Sequence, residues 1–156
     1  MSEGFSSGKI SFEDYLDQHG TLTYTNVGVS MMPLLREGKD LFIVRKKGSE
    51  RAKAGDVVLY RRPPDQYVLH RVIKVCPEDY VILGDNCVRR EYGIRDEDIL
   101  GTMSGFVRGG KTHDVTEPLY RAYTWVILHT IGIRICLKWA FGLARRIVKK
   151  VLRQFR

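Results

Sequence analysis

The sequence predicts a mainly β fold: a compact antiparallel sheet or barrel, with a short helix before it and a long amphipathic helix after it. Three observations lead to this prediction. A capped helical segment stands near the start, short β-like runs separated by turns follow it, and a helical pattern fills the end of the 156-residue chain. We therefore expect an N-terminal helical segment at 1–20, a β domain at 21–112 and a basic helix at 113–156.

The first helix is predicted over residues 11 to 19. Ser11 is a suitable N-cap, and Glu13 and Asp14 place negative charge in the first turn, where the helix dipole favours it. Gly20 is a suitable stop because glycine readily adopts the left-handed conformation that ends many helices.

Six short runs then have the composition of strands, and residues rich in turn formers separate them. No helical pattern interrupts the series, which favours antiparallel pairing over a parallel α/β sheet. The polar stretch 108–118 is interpreted as a hinge that closes the domain. The runs are 21–27, 40–46, 55–62, 67–75, 79–85 and 99–107.

The positive charge of the chain belongs to its last part. The net charge is +8, from 26 basic and 18 acidic residues. Nine of the basic residues and no acidic one lie from Leu119 onward, which leaves 17 basic against 18 acidic residues elsewhere. A nearly neutral domain argues against a nucleic-acid-binding core, so no nucleic-acid partner is expected.

The spacing of charged and apolar residues in the last part of the chain also predicts an amphipathic helix. At 100° per residue its cations share one broad arc, opposite an arc of apolar residues. We favour a helix that lies on an anionic membrane surface. A membrane-spanning helix at 122–144 must hold Arg134 and Lys138 in the bilayer, at a cost of about 2.5–3.5 kcal/mol each. The third alternative is a helix packed on the domain or on a partner, with a solvated basic face. The cations are Arg134, Lys138, Arg145, Arg146, Lys149, Lys150, Arg153 and Arg156.

The start of the chain has no apolar run preceded by basic residues, so no cleavable signal peptide is expected. Cys76, Cys87 and Cys136 show neither metal-binding spacing nor a disulfide framework. We expect no metal and no cofactor. The predicted location is the cytoplasm, or the cytoplasmic face of a membrane.

Ser30 and His70 are the candidates for nucleophilic chemistry. Ser30 lies between a predicted strand and a turn, where most serines only satisfy local hydrogen bonds. His70 lies within the run VLHRVI, where a histidine is usually structural, and strand alternation directs it and Arg71 to opposite faces. An imidazole can nevertheless activate a serine hydroxyl near neutral pH. Carboxylates that would orient it are Asp85, Glu91, Asp96 and Asp98, and spacing does not choose among them.

Together these segments resemble the signal peptidase I clan, which also contains the self-cleaving repressor peptidases. Four boxes match in order: SMMP at 30–33, GDVVLYR at 55–61, VLHRVI at 68–73 and LGDN at 83–86, with a weaker match in ILGTMSGFV at 99–107. His70 stands where bacterial signal peptidases and the repressors carry lysine. The chain therefore resembles the Ser-His branch of microsomal, archaeal and sporulation-type enzymes.

The resemblance implies a serine endopeptidase that cleaves a leader-like or other extended peptide, with Ser30 as nucleophile and His70 as general base. It places the third member at Glu91, where the branch usually has aspartate, so Asp85 stays open as an alternative. It also implies an oxyanion site of backbone amides near Ser30 and a substrate bound as an extended strand. Val29, Met31 and Met32 are expected to line the groove, although core packing competes for some of them.

Two other functions stay open. The same sheet would serve a non-catalytic peptide-binding module in which Ser30 and His70 are remnants. A self-cleaving regulator of the repressor type is disfavoured by His70 and by Ala54-Gly55, which is a poor cleavage site in its strand context.

Overall fold

One open antiparallel sheet carries the fold. The computed structural model describes residues 10–64 and 66–154, and from residue 147 onward only the backbone of the last helix. In these ranges the strands are β1 Thr21–Thr25, β2 Leu41–Lys46, β3 Val57–Arg62, β4 Gln66–Val75, β5 Tyr80–Leu83, β6 Glu91–Ile94, β7 Ile99–Arg108 and β8 Lys111–Asp114. The α-helices are α1 Phe12–His19, α2 Pro118–His129 and α3 Ile131–Gln154.

The mainly β, antiparallel prediction is confirmed, and the barrel alternative is wrong. The strand order is β1-β2-β7-β3-β4-β5-β6, and β8 pairs with β7. Strands β1 and β6 do not pair with each other, so they remain the two edges of an open sheet.

Both ends of helix α1 lie where the sequence predicts them. The Ser11 hydroxyl accepts a hydrogen bond of 3.0 Å from the Asp14 backbone N–H, which caps the first turn. Gly20 has a φ of 70° and donates its N–H to the Leu16 carbonyl. Residues 1–9 of the predicted N-terminal segment lie outside the described residues.

Two strands were not predicted, β6 and β8. Strand β8 pairs with the end of β7 after a turn at Gly109 and Gly110, which have φ values of 58° and 78°. The stretch 108–118 is therefore mostly a β-hairpin and not a hinge, and the boundary expected after residue 112 falls within β8.

The sheet is buried on both faces at β3, which explains why this strand reads as a continuous apolar run. Val57 and Leu59 belong to the larger core cluster, which α1 and α2 adjoin through Leu16 and Tyr120. Val58 and Tyr60 point to the opposite face and belong to a second, smaller cluster.

A buried ion pair joins β4 to the turn after β5. Arg71 donates from Nε and Nη2 to the two carboxylate oxygens of Asp85, at 2.8 and 2.7 Å, and both side chains are buried. Its Nη1 donates to the Gly55 carbonyl at 2.7 Å. From α2, Thr124 accepts from Arg71 at 3.1 Å and Tyr123 donates to Asp85 at 2.9 Å. His70 and Arg71 do face different partners, yet both are buried because α2 covers the Arg71 side.

The C-terminal region contains two helices. The single helix predicted over 113–156 is therefore wrong: α2 ends at His129, and the long helix α3 begins only at Ile131. Among the described residues, no single helix is long and apolar enough to cross a membrane. Together, helices α2 and α3 (through Arg146) have the length and apolar composition of a membrane span, but they are bent by 65° at their junction. The side chains from residue 147 onward lie outside the described residues.

Removing one partner of the buried pair should destabilise the fold strongly. We expect Asp85→Ala to lower the free energy of unfolding by about 3–5 kcal/mol, because it leaves the Arg71 charge buried and uncompensated. The matched control is Glu97→Ala, which breaks an exposed pair with Arg95 and should cost less than about 1 kcal/mol. Urea denaturation measures both, and equal losses would contradict this account.

Candidate active site

Ser30, His70 and Glu91 line one cleft of about 1520 Å³. Both edge strands contribute to its walls, β1 through Tyr24 and Thr25 and β6 through its whole length. The cleft therefore lies where the open sheet has unpaired strand edges, and it brings together residues that are far apart in the sequence.

Residues 26–40, between β1 and β2, form the Ser30 loop, and Asn26 holds this loop from inside. The buried Asn26 side chain donates to the carbonyl oxygens of Gly28, at 3.1 Å, and of Leu35, at 3.4 Å. Gly28 has a φ of 88°, a conformation that disfavours other residues, and its N–H donates to Glu37 Oε1 at 3.0 Å. These bonds fix the backbone on both sides of Ser30.

Asp40 holds the far end of the same loop. Its buried carboxylate accepts from Arg36 at 2.8 Å and from Arg108 at 3.0 Å. The hydrogen bond from Arg36 is the main reason that the pKa of Asp40 lies well below its usual value. Arg108 also donates to the Pro33 carbonyl at 3.0 Å, so the same guanidinium secures the turn that follows Ser30.

The turn at residues 84–86 secures the loop from the other side. The Asn86 backbone N–H donates to the Ser30 carbonyl at 2.7 Å, and the Asn86 amide donates to the Val29 carbonyl at 3.0 Å. A Cβ added to Gly84 would lie 2.8 Å from the Ser30 carbonyl oxygen and 2.9 Å from His70 Cδ2. Ser30 and His70 thus lie against the same glycine.

Glu91 is the carboxylate that contacts the imidazole. His70 Nδ1 lies 3.1 Å from Glu91 Oε1 and 3.4 Å from the Tyr60 hydroxyl. The second oxygen of Glu91 accepts from Arg62 Nη1 at 3.2 Å. With Nδ1 engaged, Nε2 is the nitrogen that remains for a substrate-side proton transfer.

Within the described part of the chain, neither His70 Nε2 nor the Ser30 hydroxyl makes a hydrogen bond. The two groups therefore make no hydrogen bond with each other in this structure. Catalytic hydrogen bonds are often long in enzymes without substrate and shorten when substrate binds.

The environment favours the neutral form of His70. Burial lowers the pKa of His70 below its usual value of 6.5, although the charge and hydrogen bond of Glu91 act in the opposite direction. Burial also raises the pKa of Tyr60, and the charge of Glu91 raises it further. The phenol is therefore protonated and the imidazole is a free base at neutral pH.

The other predicted carboxylates are engaged elsewhere. Asp85 is bound to Arg71 on the opposite face of β4. Asp96 pairs with Lys47 and Arg51, and the Asp98 carboxylate accepts from the Arg95 backbone N–H. Of the four carboxylates, only Glu91 contacts His70.

The three residues expected to line the groove differ in their exposure to solvent. Met31 is fully buried in the larger core, so the expectation that it lines the groove does not hold. Val29 and Met32 are exposed, at 51% and 36%, but they lie outside the cleft lining. Core packing explains Met31, because its side chain belongs to the larger core cluster.

Sequence reasoning did not identify Tyr60 and Arg62. Both lie on β3, two residues apart, so they share a face, and this face is also that of His70 because Val58 pairs with His70. The only signal in the sequence is this alternation, and it requires the β3–β4 register to be known.

Two further expectations concern other sites. In residues 10–64 and 66–154, no group of three histidine, cysteine or acidic side chains is placed to hold a metal ion. At Ala54-Gly55, the N–H of the peptide bond donates to the Val72 carbonyl, and the carbonyl of the next peptide bond, that of Gly55, accepts from Arg71. Both groups of Gly55 are therefore tied into the core.

Comparisons with known proteins add no assignment. A scan against protein-family models, a search of curated proteins and a search of solved structures each find no match to the chain. The geometry of the site is therefore the basis for the functional argument.

The space around residue 84 is too small for any side chain larger than that of glycine. We expect Gly84→Ala to lower the free energy of unfolding by about 1–3 kcal/mol, because the new methyl group overlaps the Ser30 carbonyl and the His70 ring. Gly48→Ala is the matched control, since nothing lies within 4 Å of the added Cβ. Urea denaturation measures both, and an unchanged stability of the Gly84 variant would show that the loop moves away freely.

The contact between His70 and Glu91 can be measured by NMR titration of the His70 ring. Because the negative charge of Glu91 favours the imidazolium, Glu91→Gln should lower the pKa of His70 further below its usual value. Glu97→Gln removes an exposed carboxylate of the same cleft and should leave the His70 pKa nearly unchanged. A His70 pKa that rises or stays constant in Glu91→Gln would contradict the contact.

Proposed function

We propose that the chain is a serine endopeptidase in which Ser30 is the nucleophile, His70 the general base and Glu91 the residue that positions the imidazole. The observation that carries the proposal is the 3.1 Å contact between His70 Nδ1 and Glu91 Oε1, in a cleft that Ser30 also lines. A base oriented by a carboxylate beside a serine is the arrangement that nucleophilic acyl transfer requires.

The chemistry follows from these positions. The Ser30 hydroxyl oxygen bonds to the scissile carbonyl carbon while His70 Nε2 takes the hydroxyl proton. Glu91 stabilises the imidazolium, which then gives this proton to the leaving amine as the C–N bond breaks. A water molecule, deprotonated by the same nitrogen, attacks the acyl-enzyme and releases the acid product and free Ser30.

Two backbone amides next to the nucleophile are available for the oxyanion. Within the described residues, the N–H groups of Ser30 and Met31 donate no hydrogen bond. Unpaired donors beside a nucleophile can stabilise the negative charge that develops on the carbonyl oxygen. Because the loop is fixed at Asn26, Asp40 and Asn86, these donors need little reorganisation during the reaction.

The edges of the sheet support an extended peptide as the substrate. Among the described strands, β1 pairs only with β2 and β6 only with β5, while residues of both line the cleft. A peptide that adds to either edge gains main-chain hydrogen bonds and passes alongside Ser30. The substrate class is thus a flexible or unfolded segment, such as a leader peptide, and not a folded surface.

Cleavage should depend on Ser30 and His70. We expect Ser30→Ala and His70→Ala each to reduce cleavage of a proteome-derived peptide library, followed by mass spectrometry, by about 10⁴-fold or more. Ser49→Ala, which removes an exposed hydroxyl in a turn, should cleave like the unmodified chain.

The same experiment separates the peptidase from a binding module. Peptides that the unmodified chain cleaves should still bind to Ser30→Ala, because the strand edges are unchanged. Binding without cleavage by the unmodified chain would replace the peptidase with a binding module. Equal cleavage by Ser30→Ala would overturn the role of this serine.

A further inference from the structure

Helix α3 turns two of its charged side chains towards the domain. Arg134 Nη1 donates to the Asp85 carbonyl at 2.6 Å, and Lys138 Nζ donates to Asn86 Oδ1 at 2.5 Å. Arg134 and Lys138 are four residues apart and therefore lie on one side of the helix. This contact excludes the interpretation in which these two cations are merely solvated.

Much of the exposed surface of α3 is apolar. Large hydrophobic side chains there are exposed by 52–71%, and no charged residue interrupts the run from Trp139 to Ala144. A helix of a free-standing globular protein has the opposite arrangement, with its apolar side on the core. The exposed residues are Ile133, Leu137, Trp139, Phe141 and Leu143.

Helix α2 adds to this surface. Leu119, Trp125 and Val126 are exposed by 80%, 61% and 47%. Both tryptophans of the chain, Trp125 and Trp139, are among the exposed side chains of the two helices. We call the exposed apolar residues of α2 and α3 the outward face. Large apolar side chains exposed in this number on neighbouring helices mark an interaction site.

The charge of the region selects the partner. No acidic residue follows Glu117, and Arg145 and Arg146 are exposed beside the outward face. A second copy of the chain would bring two positively charged helices together, which is unfavourable. Tryptophans, aliphatic residues and flanking arginines are together the composition that binds the interface of an anionic lipid bilayer.

We propose that the outward face docks in the plane of an anionic membrane surface. The apolar side chains enter the headgroup boundary, while Arg145 and Arg146 contact acidic headgroups. A spanning arrangement is disfavoured, because it would draw the 85–86 turn, which Arg134 and Lys138 hold, into the hydrocarbon. The 65° bend between α2 and α3 agrees with helices that lie on a surface.

Vesicle binding tests this proposal independently of the peptidase chemistry, because the full chain is used as the Ser30→Ala variant. It should co-sediment with vesicles of phosphatidylcholine mixed with phosphatidylglycerol and bind about tenfold or more weakly to pure phosphatidylcholine. Tryptophan emission should shift to shorter wavelength with the mixed vesicles only. This second measurement needs no change in the outward face.

The double variant Leu137→Glu, Phe141→Glu should lose vesicle binding by about tenfold or more. The control Ile10→Glu, Tyr92→Glu has the same change in charge at exposed apolar positions elsewhere and should lose much less. Circular dichroism checks that each variant is folded.

Three outcomes would overturn the proposal. One is a chain that stays in solution with both vesicle types, and another is an equal loss of binding in the two double variants. The third is a dimer, detected by light scattering, that Leu137→Glu, Phe141→Glu dissociates, since the outward face would then bind a second copy.

Discussion

The buried ion pair between Arg71 and Asp85 is the contact on which most of the arrangement depends. Two charges removed from water are tolerated only when their hydrogen bonds are satisfied, and here β4, the Gly55 turn, the turn after β5 and α2 all supply partners. The pair therefore fixes four segments relative to one another. Because Asn86 follows Asp85 directly, it also determines where the Ser30 carbonyl is held.

Side chains alternate between the two faces of β4, so its buried ion pair and its candidate catalytic residue lie on opposite faces of the sheet. Arg71 points to one face, where Asp85 neutralises its charge and each guanidinium nitrogen donates a hydrogen bond. His70 points to the other face, where its Nε2 makes no hydrogen bond to the described residues. The two adjacent basic side chains thus do not compete for one carboxylate. Asp85 serves the first and Glu91 the second, and Arg62 and Tyr60 limit how Glu91 and the ring can move.

The parts of the molecule that depend on local patterns were predictable, and those that depend on pairing were not. The caps Ser11 and Gly20 and the apolar strands follow from short-range rules. Strands β6 and β8 are four residues long, and polar residues and glycine leave them without an apolar alternation. The choice of Glu91 over Asp85 required the β5–β6 pairing, in which Ile82 opposes Glu91. The orientation of α3 also could not be predicted, because the amphipathic pattern does not show which side meets the domain.

The bonds from Arg134 and Lys138 to residues 85 and 86 give the last helix a second role. The C-terminal region is not a detachable extension of the sheet. A chain shortened before Arg134 would lose two donors that hold the turn beside the nucleophile, even though every strand would remain. Loss of Arg134 and Lys138, which are far away in the sequence, would therefore loosen the Ser30 loop.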